Sequence, residues 1–287
     1  MGSDLSSPSS PSLTHAFVTE PGHTPTRWIL FLHGILGSGN NFRTLARRWV
    51  QARPHLGLVL VDLRMHGRSQ GFAPPHTIEA AAKDLVTLEE VVAARGGSVC
   101  GVVGHSFGGK VALQYVANKG GELDRAWIID STPGARPNAA GSESTVRVYE
   151  LLRSLPARFE SRQAFNDALA AGGLDAGMIQ WLAMNVDSIP GGGYRFRLDL
   201  DAIGALLGDY FERDLWPVVE NPPGTVSVEL IIGGRSRVLD EADRGRAERA
   251  SRQSPGRVDV HIIAGAGHWV HVDAPDELFE LLAASSH

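Results

Sequence analysis

Short apolar runs alternate with amphipathic stretches along most of the chain. Six runs predict strands: Trp28–Leu32, Leu58–Val61, Ser98–Val103, Ala126–Ile129, Ser227–Ile232 and Val258–Ile263. Most are apolar through their middle instead of alternating, as strands covered on both faces must be. Val258–Ile263 begins with alternation, which suits a strand nearer an edge. Between the runs, Phe42, Leu45, Ala46, Trp49 and Val50 share one face at helical spacing, with Arg47, Arg48 and Gln51 on the other. A second helix is expected from about Ile78 to Ala94, with Thr77 as N-cap and Gly96 just past its end. A third opens near Ser106 and stops at Lys119-Gly120-Gly121. A last one follows Pro275, with Asp276 and Glu277 favoured by the helix dipole. Strand, helix, strand in this rhythm predicts an α/β fold with a parallel sheet and right-handed crossovers.

The rhythm breaks between Gly134 and Trp216, where helical segments follow one another until a strand-like Tyr194–Leu198. This stretch is read as a helical cap (134–216) inserted into a core formed by 16–133 and 217–287. Its apolar residues include Tyr149, Leu152, Phe159, Phe165, Met178, Trp181 and Met184. Most are expected to pack onto the core, and a few to line a pocket. Residues 1–15, rich in Ser and Pro and without an apolar stretch, are read as a disordered tail and not a secretory signal.

Composition narrows the classes. A net charge of −5 without a long basic run argues against a nucleic-acid partner. No apolar run approaches the roughly 18 residues that a membrane span requires. The single cysteine, Cys100, lies in an apolar run and is read as a core residue. A cytoplasmic setting is the expectation.

Candidate chemistry centres on Gly104-His105-Ser106-Phe107-Gly108-Gly109-Lys110-Val111. The stretch satisfies G-x-S-x-G, a nucleophile elbow, and most of G-x-x-x-x-G-K, a phosphate loop. The phosphate reading needs Ser or Thr after the lysine to hold magnesium, and Val111 stands there. The serine reading finds its strand in Val99–Val103, its sharp turn at Gly104 and Gly108, and its helix from Lys110. A serine hydroxyl needs a base. In this architecture the base comes last, and His268 stands in Gly265-Ala-Gly267-His268-Trp269-Val270-His271. No cysteine or carboxylate cluster completes a metal site with His268 and His271, so neither metal nor cofactor is expected. Backbone donors for an oxyanion fall on Phe107, after the nucleophile, and on Ile35, in the loop after the first apolar strand. His33 is read as fixing that loop, and His105 as pointing away from the serine. Asp62 and Arg64 are read as an ion pair or as loop hydrogen bonds.

Four segments in order, Phe31–Ser38, Asp62–Ser69, Gly104–Gly109 and Gly267–His271, resemble the α/β-hydrolase superfamily, in particular small bacterial esterases and abhydrolase-type serine hydrolases of mitochondria. The resemblance implies an eight-stranded, mostly parallel sheet with a helical cap, and cofactor-free hydrolysis of acyl esters or thioesters. Many members carry the catalytic acid after the strand that follows the cap. Ser236 stands in that place here, and Asp240 lies further on. Other members are similar to this chain in having a carboxylate where Asp130 ends its strand. Asp130 is therefore the first choice for the acid and Asp240 the second.

The expected function is a serine hydrolase acting on small-molecule carboxylic esters, or thioesters, with Ser106, His268 and Asp130 as its triad. The alternatives are a nucleotide-binding enzyme built on Gly104–Lys110 and a non-catalytic binding protein of the same fold.

Overall fold

The computed structural model describes residues 11–284. Its strands are β1 (His15–Val18), β2 (Arg27–Leu32), β3 (Leu56–Val61), β4 (Ser98–His105), β5 (Arg125–Ile129), β6 (Val186–Ser188), β7 (Tyr194–Phe196), β8 (Ser227–Gly233) and β9 (Val258–Ile263). Helices α1 (Arg43–Ala52), α2 (Ile78–Asp84), α3 (Val86–Ala93) and α4 (Phe107–Lys119) belong to the first half of the core. Between β5 and β8 come α5 (Glu143–Ser154), α6 (Arg162–Ala171), α7 (Ala176–Ala183), α8 (Leu200–Glu212) and α9 (Trp216–Glu220). The chain ends with α10 (Glu241–Gln253), α11 (Val270–Asp273) and α12 (Pro275–Ala284).

The main sheet runs β1-β3-β2-β4-β5-β8-β9. All its pairings are parallel except β1 with β3. Helices cover both faces, so β3, an unbroken apolar run, and β8, apolar but for Ser227 and the ion-paired Glu229, are buried along their whole length. Strand β9 lies at the edge, where its alternation placed it. The main sheet has seven strands among the described residues, where the resemblance implies eight. Residues 1–10 of the expected tail lie outside the described residues. Within its last five, Leu13 is buried and His15 opens β1.

The helix expected over 78–94 divides at Leu85. Thr87 Oγ1 donates to the Asp84 carbonyl at 2.8 Å, which competes with the helical ladder there. The Asp84 carboxylate is drawn aside by Arg64 at 2.7 Å, so Arg64 pairs with Asp84 and not with Asp62. Asp62 instead accepts the Gly39 and Arg68 amides. Thr77 caps α2 by accepting from Ala80 N, and Gly96 takes a left-handed φ of 77°. Between β5 and β8, a β6–β7 hairpin accompanies the helices.

Candidate active site

The elbow is built by steric exclusion. Strand β4 ends at His105, Ser106 turns at φ 53° and ψ −120°, and α4 begins at Phe107. A non-glycine residue at such a φ is strained, at a cost of about 1–3 kcal/mol. The turn closes only because Gly104 and Gly108 lack side chains. A Cβ on Gly104 would come within 2.1 Å of the Gly108 carbonyl, and one on Gly108 within 2.5 Å of the Leu32 and His33 carbonyls. The spacing of glycines in the sequence thus reflects backbone packing against β2.

Ser106 and His268 line one cleft together with Ile35, Leu36, Met178 and Trp181. His268 follows β9, and its carbonyl meets His105 Nε2 at 2.8 Å, which fixes the backbone. Asp273 accepts the Gly267 amide at 2.7 Å and holds the approach to His268. His268 Nδ1 lies 2.7 Å from Asp130 Oδ2. With Nδ1 engaged, Nε2 is the ring atom left for a proton acceptor role.

Asp130 is fully buried at the end of β5, with φ 43°. Its Oδ1 accepts from Gly233 N at 3.0 Å, and its Oδ2 also accepts from Ser236 Oγ at 2.6 Å. A buried carboxylate is tolerated when donors replace its water. Asp240 has a different place. It caps α10, accepting from Asp243 N at 2.8 Å, and reaches Arg136 at 3.3 Å. The D-x-x-D signal ahead of that helix was readable in the sequence as a cap. The contribution of Ser236 was not readable: a serine in the loop after β8 gives no sign that it donates to a carboxylate at the end of the neighbouring strand.

The Phe107 N–H opens α4 and the Ile35 N–H sits in the turn after β2; neither meets an acceptor among the described residues. Both are therefore available to a ligand oxygen. His33 keeps the Ile35 loop in place. Its Nε2 accepts from Leu63 N at 3.0 Å, and its Nδ1 donates to the Gly34 carbonyl at 2.7 Å. Burial pushes His33 down to about 4 and His271 to about 4. Burial lowers His66 to about 3 and His105 well below its usual range, with neighbouring imidazoles adding to both. A layer of neutral imidazoles therefore lies behind the cleft.

Lys110 does not face a phosphate site. Its Nζ is buried and donates to the carbonyls of Gly134, Tyr210 and Arg213 at 2.7–2.9 Å. Burial, with Arg136 adding to it, pushes Lys110 down to about 7. The lysine that suggested a phosphate loop ties α4 to the segment between β5 and α9, at Gly134, Tyr210 and Arg213, so the nucleotide reading loses its cation.

Among the described residues no helix is long and apolar enough to cross a membrane, and no cluster of His, Cys, Asp and Glu has the form of a metal site. Of the residues between Gly134 and Trp216 singled out in the sequence, Met178 and Trp181 reach the cleft, whereas Leu152, Phe159 and Phe165 are buried in the same apolar cluster as the sheet core. Val148, Ser144 and Thr145 of α5 complete the wall.

A family model described as alpha/beta hydrolase family matches residues 29–281. The sn-1-specific diacylglycerol lipase of Mus musculus is 27% identical over 259 residues, 89% of this chain and 80% of that protein. Esterase YbfF of Escherichia coli is 28% identical over 266 residues, 88% and 91% of the two chains. Among solved structures, a marine microorganism esterase superposes with a TM-score of 0.79 at 22% identity, covering 96% of this chain and 99% of that one. That likeness speaks to the fold.

Proposed function

The chain belongs to the alpha/beta hydrolase family, and on that premise we propose that it hydrolyses carboxylic esters through Ser106, His268 and Asp130. The observation that carries the proposal is the 2.7 Å contact between His268 Nδ1 and the buried Asp130, beside a serine held at a strained turn. Esterase and lipase relatives covering most of the chain support ester hydrolysis as the reaction class.

In the proposed sequence, Ser106 Oγ attacks the acyl carbon while His268 Nε2 takes its proton. The C–O bond to the leaving group breaks, and the same proton passes to the departing oxygen. Water then attacks the acyl-serine by the same route and regenerates the hydroxyl. The amides of Ile35 and Phe107 would hold the oxyanion, and loss of one such donor typically costs about a hundredfold or more. Asp130 keeps the imidazole in the right tautomer and stabilises its charged form.

A panel of p-nitrophenyl esters of increasing chain length tests the reading. Turnover should fall at least a thousandfold, roughly, in Ser106→Ala. Undiminished turnover in that variant would refute the proposal.

A further inference from the structure

A second cleft meets the first at His268, Ser144 and Thr145, and it is charged. Arg235 and Arg237 line it, one residue on either side of Ser236. Both are exposed, and neither guanidinium makes a hydrogen bond or ion pair among the described residues. Neighbouring arginines are spent: Arg136 on Asp243, Arg246 on Glu220, and Arg244 on the carbonyls of Gly233 and Ser236 at 2.9 and 3.0 Å. The loop carrying Arg235 and Arg237 is firmly held. Arg244 grips it from α10, Arg235 N donates to the Ala266 carbonyl at 2.9 Å, and Ser236 is hydrogen-bonded to Asp130. The one carboxylate lining this cleft, Glu143, accepts the Gly141 amide at 3.0 Å and is also attracted, more weakly, by Arg237. Two cations against one anion leave the cleft positive in a chain whose net charge is −5.

Ile35 and Ser106 line the first cleft, so the acyl group belongs there, where the open space is about 50 Å³. His268 returns its proton to the leaving oxygen, so the leaving group lies on the His268 side. His268 is the one member of the proposed triad that lines the second cleft, where the open space is about 300 Å³. Resting on the proposed ester hydrolysis, we infer that Arg235 and Arg237 recognise an anionic group, carboxylate or phosphate, on the leaving alcohol or thiol of a substrate with a short acyl chain. Guanidinium forks match both anions, and such pairs act at partly exposed sites chiefly through KM and association rate.

Three butyrate esters separate the possibilities: 1-butyrylglycerol, its glyceric acid counterpart, and 1-butyrylglycerol 3-phosphate. At low ionic strength at least one anionic ester should exceed the neutral one about tenfold in kcat/KM, mostly through KM. Which of the two does so identifies carboxylate or phosphate. Added salt should shrink the advantage. The double variant Arg235→Gln/Arg237→Gln should abolish it. The readout is the ratio of rates within each variant, so any loss of folded enzyme cancels. Equal rates on all three esters in the wild type, or an advantage that survives in the double variant, would overturn the inference while leaving ester hydrolysis intact. If Ser106→Ala hydrolyses the neutral ester as fast as the wild type, the underlying reaction falls, and this inference with it.

Discussion

Strands β5 and β8 lie side by side, and each runs into a loop that carries an aspartate. From the sequence, Asp130 and Asp240 are rivals for one role. In three dimensions they share little. Asp130 is sealed from solvent and surrounded by donors: the Gly233 amide, the Ser236 hydroxyl and the His268 ring. The Asp240 side chain is 56% exposed, caps a helix and touches an arginine. What separates them is the number of buried partners, and that depends on which loops the sheet brings together. A carboxylate that has lost its water must be matched group by group, and the matching fixes its direction.

The comparison breaks most easily at the carboxylates themselves. Asp130→Asn should lower kcat by about ten-thousandfold, the scale seen when a triad acid becomes an amide. Asp240→Asn should leave kcat within about twofold, because asparagine caps a helix as well as aspartate does. Steady-state kinetics on one p-nitrophenyl ester decides. A large loss in Asp240→Asn with a small one in Asp130→Asn would reverse the assignment.

Acid should also act on the two regions unequally. The imidazoles behind the Ser106 cleft, at His33, His66, His105 and His271, all titrate below the ordinary histidine value of 6.5. The unfolded chain therefore takes up protons first, so stability is full above about pH 6.5 and declines as the pH falls toward 4. For His33 alone, whose value drops to about 4, the loss is on the order of 3 kcal/mol. Thermal unfolding at a series of pH values measures it. A melting temperature unchanged between pH 7 and pH 4.5 would contradict the burial of these rings in neutral form.

Smaller effects sharpen the contrast. Ser236→Ala removes one of the Asp130 donors and should cost about tenfold in kcat, with little change in KM. Asp240→Ala should cost about 1 kcal/mol of stability through the lost cap, read from denaturant unfolding, with the catalytic constants kept. A Ser236→Ala variant with wild-type kcat would show that the Gly233 amide and His268 alone orient the acid.

Much of this was legible in the sequence because it is local. The elbow needs glycines two residues either side of Ser106, since the backbones of β2 and α4 leave no room for a Cβ. The buried strands need apolar residues on both faces, and β3 and β8 have them. The edge strand β1 was illegible: four residues, HAFV, give no period to read. The break at Leu85 was hidden because it depends on a Thr87 side chain and on Arg64, twenty residues before Asp84. Lys110 misled because its partners, Gly134, Tyr210 and Arg213, lie 24 to 103 residues further along the chain, where no local pattern points. The choice between Asp130 and Asp240 was likewise non-local on one side only. The cap at Asp240 could be read from Asp243, but the donors to Asp130 come from the end of β8 and from loops, all more than a hundred residues away.

The most direct test of the central claim is covalent labelling with a fluorophosphonate, followed by mass mapping of peptides and by rate measurements in variants. The account predicts one adduct, on the peptide containing Ser106, formed far more slowly in His268→Ala and in Asp130→Asn. An adduct on another residue, or labelling of Ser106 at an undiminished rate without His268, would contradict it.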